Sequence, residues 1–188
     1  MGFSRAELEQ YEGTTVDDLL GDHVRLLLVG INPSLWTAAT GAHFSRPGNR
    51  FYPALARAGI TDHVIDASDG MADVDRRQLT DRGIGITNIV ARATATAAEL
   101  GRDELRDGGR RLEALVERLR PPVVAVLGIT AYRDAFGRPR ATPGRQDLDL
   151  AGAELWVVPN PSGLNAHENV DTLAAAYAEV ARAAGIVS

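Results

Sequence analysis

Two apolar runs in this chain end in the same tripeptide. RLLLVGI (25–31) leads into Asn32-Pro33-Ser34, and LWVVP (155–159) leads into Asn160-Pro161-Ser162, with Gly163 next. Proline lacks an N–H and fixes its own φ, so it ends a strand ladder and leaves each asparagine at a defined exit. In a parallel sheet, ligands bind beyond the carboxyl ends of the strands, where neighbouring exits face one crevice. Two such exits would place two amides and two small hydroxyls around one mouth, which suits a planar polar ligand. Either copy alone reads better as an ordinary Asn-Pro turn.

The pattern around these exits alternates strand and helix. Residues 24–31 read as a buried strand, followed by a long Gly/Pro-rich stretch, INPSLWTAATGAHFSRPGNR, read as a functional loop. Phe51, Leu55 and Ala58 then space out a helix ending near Gly59, and 74–82 suggest a short one. GITNIV (85–90) reads as a strand. Leu105, Leu112, Leu115, Val116 and Leu119 mark a strong helix over 103–119, stopped by Pro121-Pro122. A buried strand (123–128), a helix (130–136), a hairpin-like TPGRQDLDLAG, the LWVVP strand and a helix over 168–184 complete the order. This alternation predicts α/β layering with helices on both sheet faces.

The 188 residues are enough for one domain with a sizeable core, and no second hydrophobic pattern follows a linker, so a single domain over 1–188 is expected. No apolar run approaches a membrane span, and the charged start MGFSRAELEQ lacks the apolar stretch of a secretory signal. The absence of cysteine excludes disulfides, thiolate nucleophiles and cysteine-ligated metals. A cytoplasmic protein is expected. The net charge of -5 argues against broad coating of nucleic acid or anionic membrane, yet permits a small basic face. Basic residues gather at Arg46 and Arg50, at Arg110-Arg111, and at Arg138, Arg140 and Arg145.

Several chemistries lack their motifs. There is no G-x-G-x-x-G after the first strand, no G-x-x-x-x-G-K-[ST] and no H-E-x-x-H. His23, His43, His63 and His167 are scattered and read as isolated surface or local structural residues. Ser162, His167 and Asp171 lie close enough in sequence to suggest a serine hydrolase, but Ser162 stands in P-S-G, not in G-x-S-x-G. Its hydroxyl then serves to order a turn.

The stretch GINPSLWTAATGAHFSRPGNRFY together with NPSGLNAH is far more specific. It resembles the mismatch-specific uracil/thymine-DNA glycosylase branch of the uracil-DNA glycosylase superfamily. GITNIV, the ELRDGGRRLEAL helix start and VVAVLG are similar in content and order, so the resemblance covers nearly the whole chain. It implies a three-layer α/β/α sandwich with a short central, mostly parallel sheet. It also implies hydrolysis of an N-glycosidic bond in double-stranded DNA carrying a mismatched or damaged pyrimidine, a nucleoid-associated task in a bacterial-type cytoplasm. No metal, no organic cofactor and no membrane are implied, and a monomer is expected. Such an enzyme swings its target nucleotide out of the duplex, and a mispaired base is the easiest to extrude.

The same resemblance distributes roles. Asn32 would orient the hydrolytic water, with main-chain N–H groups near Ile31 stabilising the leaving pyrimidine anion. Phe44 would be the aromatic platform under the base, with Thr40 and Gly41 shaping the pocket floor and Asn88 at the middle strand exit. Trp36 and Tyr52 are read as packing residues. Leu164, in Asn160-Pro161-Ser162-Gly163-Leu164, would enter the gap left by the extruded base. Asn165 would meet the widowed guanine, and Asn160 would position phosphate or the loop. Arg46 and Arg50 are candidates for phosphate or loop support. The chain departs from the bacterial pattern at Ser34, where glycine is usual, and at Ala166, where arginine is usual; His167 would partly replace that arginine. Two other readings stay open: a non-catalytic DNA-lesion-binding module, and a small-molecule serine hydrolase.

Overall fold

The computed structural model describes residues 2–188. Five strands, β1 (Leu26–Gly30), β2 (Ile84–Asn88), β3 (Val123–Leu127), β4 (Gly144–Arg145) and β5 (Glu154–Val158), form one sheet in the order β2-β1-β3-β5-β4. β1, β2, β3 and β5 run parallel, and only the short edge strand β4 is antiparallel. Gly30 lies opposite Asn88, and Leu127 opposite Val158, so the parallel strands end nearly level. The order reverses between β1 and β3, which opens a crevice there at the carboxyl ends.

Every residue of β1 and β3 is buried, because both sheet faces are covered. Strand alternation sends Leu26, Leu28, Val123, Ala125 and Leu127 to one face. There they meet α3 (Phe51–Arg57), α4 (Asp73–Asp81) and α7 (Val170–Ala183), through side chains such as Leu55, Leu79 and Tyr177. Leu27, Val29, Val124 and Val126 pack on the other face against α5 (Arg102–Leu119) and α6 (Ile129–Phe136). The result is the expected three-layer α/β/α sandwich around a mostly parallel sheet. A β-carbon at Gly108 of α5 would strike the main-chain oxygen of Ile89. Glycine there lets α5 abut the chain leaving β2.

Two short helices depart from the sequence expectation. α1 (Arg5–Glu9) is closed by a Ser4/Glu7 capping box and buries no residue, so it leaves no hydrophobic trace in the sequence. α2 (Leu35–Thr40) interrupts the stretch read as loop. Ser34 caps it by accepting from Thr37 N at 3.1 Å, and Gly41, at φ 67°, ends it. Six residues are too few to display a helical period.

Candidate active site at the strand exits

A cavity of about 260 Å³ opens beyond β1, β2, β3 and β5. Both Asn-Pro-Ser motifs contribute to its wall, as do Ile31, Phe44, Asn88 and Leu164. The two tripeptides therefore face one mouth.

Asn32 is held by its nitrogen. Nδ2 donates to Thr94 Oγ1 at 2.7 Å, Arg92 O at 3.1 Å and Pro33 O at 3.2 Å. Two of these partners are carbonyls, which only accept, so the orientation of the amide is fixed. Thr94 donates its own proton to Thr96 O at 2.8 Å and so offers Asn32 a lone pair. Arg92 is anchored in turn by Glu104 of α5 at 2.6 and 3.0 Å. Those charge-assisted bonds hold the Glu104 carboxyl below its usual range. No protein group among the described residues donates to Asn32 Oδ1, and none of their buried side-chain oxygens lacks a partner. Oδ1 is thus a solvent-reached acceptor at the cavity wall.

Phe44 forms a shelf. Its ring stacks on Phe51 with centroids 4.0 Å apart and planes 25° apart, and the residue lines the cavity. Its backbone sits at φ 56°, a left-handed conformation that costs an aromatic residue roughly 1–3 kcal/mol. Tyr52 supports this turn: its buried hydroxyl donates to His43 O at 2.7 Å. Trp36 donates to Ser68 O at 2.9 Å and packs edge-on against Phe3. Both act as packing residues. Thr40 and Gly41 shape the shelf from behind without lining the cavity. Thr40 bonds the Ser45 hydroxyl at 2.8 Å, and Gly41 turns the chain toward Phe44. Ser34 both caps α2 and lines the cavity.

The second motif builds a compact projecting loop. Asn160 Oδ1 accepts from Ser162 N at 2.8 Å, and Ser162 Oγ accepts from Leu164 N at 3.3 Å. Leu164 stands at the tip, 79% exposed. Asn165 braces the loop: Nδ2 donates to Asn160 O at 3.2 Å, and Oδ1 accepts from His167 N at 3.3 Å. One N–H and one lone pair of that amide remain uncommitted. Gly163 lies against Gly48, where a β-carbon would come within 2.5 Å of the Gly48 oxygen. Arg50 ties the same loop to the first motif. It donates to Glu168 O at 2.7 Å, Asn165 O at 2.9 Å and Gly163 O at 3.3 Å. Of its two expected roles, loop support is the one seen. Arg46 borders the cavity, exposed and without an acidic partner among the described residues.

Ser162, His167 and Asp171 do not form a triad. Asp171 pairs with Arg57 at 2.9 Å, and no hydrogen bond joins Ser162 to His167. No cluster of potential metal ligands occurs among the described residues. His43 is neither superficial nor isolated. It is 4% exposed, between Asp17 and Asn88. Thr94, Arg92 and Asn49, whose Oδ1 accepts from Phe51 N at 2.9 Å, were also missed by the sequence reading. For Thr94 a signal existed: it follows β2 and so lies beyond the carboxyl end of a parallel strand.

This arrangement has counterparts. A candidate uracil DNA glycosylase from Methanosarcina acetivorans, solved by solution NMR, superposes with a TM-score of 0.61 at 19% identity, over 92% of this chain and 98% of that one. That likeness speaks to the fold. The sequence pattern of the Uracil DNA glycosylase superfamily matches residues 18–181. On that match the chain belongs to the uracil DNA glycosylase superfamily, enzymes that act on DNA.

Proposed function

We propose that the protein is a monofunctional glycosylase of the mismatch-specific uracil/thymine branch, which hydrolyses the N-glycosidic bond of uracil opposite guanine in double-stranded DNA. The observation that carries this reading is Asn32, pinned by its nitrogen with Oδ1 left to accept from a water. An amide is a poor base, so its contribution is to aim the water rather than to deprotonate it at the outset. The C1′–N1 bond breaks ahead of attack. Its electron pair leaves with the pyrimidine, and the sugar gains oxocarbenium character. Water then adds to C1′ and passes its proton to bulk solvent as the positive charge disappears. Phe44 stacks the departing base, and Asn88 faces its polar edge.

Leu164, on a loop braced from within, suits insertion into the vacated stack. Arg46, exposed at the cavity, is the residue assigned in this reading to a phosphate near the mouth. All 20 basic residues of the Lys+Arg set are arginines, so no lysine exists to form a Schiff base with the sugar. An abasic site with an intact strand is the expected product.

The test is incubation of the protein with end-labelled duplexes carrying U·G, U·A, T·G and etheno-cytosine, and with single-stranded DNA, each with and without later alkali. Release of uracil from U·G with breaks only after alkali supports the reading. Strand breaks before alkali refute a monofunctional reaction. Lesion binding without base release would instead identify a binding module.

A further inference from the structure

We propose that His43 sets which pyrimidine the cavity accepts, by fixing the orientation of the Asn88 side-chain amide. The selectivity rests on the glycosylase reading above; the amide lock stands on its own geometry.

His43 Nε2 lies 2.9 Å from Asp17 O. A carbonyl only accepts, so Nε2 carries the proton. Burial keeps the ring neutral, which outweighs the opposing pull of the Asp17 carbonyl and of Asp18. The other ring nitrogen, Nδ1, is then a bare acceptor, and Asn88 Nδ2 stands 3.3 Å from it. Only an N–H can face that lone pair. Asn88 Oδ1 is consequently turned toward Gly30, where a β-carbon would lie 2.5 Å from it. The Phe44 ring closes on the same point, 3.2 Å from that position. No group among the described residues donates to Asn88 Oδ1, so, as for Asn32, solvent reaches it.

Asn88 therefore presents one acceptor and its second N–H to the cavity. That pair complements the N3–H and O4 edge of uracil or thymine. Cytosine offers the reverse, an acceptor at N3 and a donor at N4. A free asparagine could serve either base by rotating its amide half a turn. Here rotation would set Oδ1 against the Nδ1 lone pair, and the buried acceptor would lose its partner. His43 touches no base in this scheme. It is a positioning residue that turns a two-way reader into a one-way reader.

The lock is tested first without catalysis, by ¹⁵N NMR of the histidine side chains in the full-length protein. The Nε2–H tautomer of His43 is expected; an Nδ1–H tautomer overturns the proposal. Single-turnover release of uracil and of cytosine, each placed in a mismatch, is then compared for wild type, His43→Leu and His43→Asn. Leucine removes the acceptor, whereas the asparagine oxygen falls near the Nδ1 position. The uracil-over-cytosine ratio should drop about tenfold or more in His43→Leu and recover in part in His43→Asn. An unchanged ratio in folded His43→Leu, verified by its melting curve, overturns the proposal. Should wild type release no uracil, the proposed reaction fails, and the tautomer measurement separates that failure from failure of the lock.

Discussion

The Arg50 guanidinium donates to the Asn165 carbonyl at 2.9 Å, joining two loops that lie 115 residues apart in sequence. With Glu168 O and Gly163 O also on this guanidinium, Arg50 fixes the loop that carries Leu164. Arg50→Ala should slow uracil release about tenfold or more, since small misplacements at a site are costly. The salt dependence of duplex binding should stay as in wild type. Arg46→Ala should do the reverse, lowering the slope of log K against log salt by about one with a smaller effect on the single-turnover rate. Equal salt slopes for wild type and Arg46→Ala would remove Arg46 from the phosphate contact.

Asn32→Ala should cost on the order of 10²–10³ in single-turnover rate while duplex affinity stays near wild type, because the lost contact is to water and the transition state. Thr94→Val should cost less, about tenfold, because two carbonyls still hold the amide. In the Asn32→Ala background, Thr94→Val should add almost nothing, since Thr94 acts on water only through Asn32. Additive losses in the double variant would show that Thr94 has a separate role.

Leu164→Ala should weaken retention of the extruded nucleotide more than nonspecific binding, because a methyl cannot fill the vacated stack. U·A should suffer more than U·G, whose pairing opens more easily. Fluorescence of a base analogue beside the lesion, followed with single-turnover cleavage, reads both. Identical traces for wild type and variant would leave Leu164 as a loop-packing residue.

Burial holds the His43 imidazole below its usual value of 6.5. The unfolded chain then binds a proton more readily than the folded one. Stability from this residue is complete above that value and falls as pH drops through 6.5 toward the folded-state value. Denaturant unfolding at pH 7.5, 6 and 5 should show progressive loss in wild type. His43→Leu should flatten the part of that slope due to this ring. Parallel slopes for the two proteins would mean that His43 gains its proton freely in the folded state.

The strand exits at Asn32 and Asn160 were legible because proline fixes where each strand stops, whereas the roles expected of Asn32 and Leu164 came from the resemblance alone. The two central strands, β1 and β3, were legible because burial on both faces demands unbroken apolar runs. Thr94 and His43 were not. The bond from Asn32 to Thr94 spans 62 residues, and that from Asn88 to His43 spans 45, so no local spacing betrays either. Arg50 was visible as a charge, but charge alone does not distinguish a phosphate partner from three carbonyls. α2 was hidden because its caps, not an apolar stripe, define it.

Gly163, which has no β-carbon, lets two loop backbones touch, its α-carbon lying against the Gly48 oxygen. Much of the loop's disorder is therefore already lost before DNA arrives. Ordering a loop on binding subtracts from affinity, and here that subtraction falls within folding rather than within recognition. On the proposed reading, the loop meets the duplex with Leu164 already held, and the opening of a weak pair is left to the motions of the DNA.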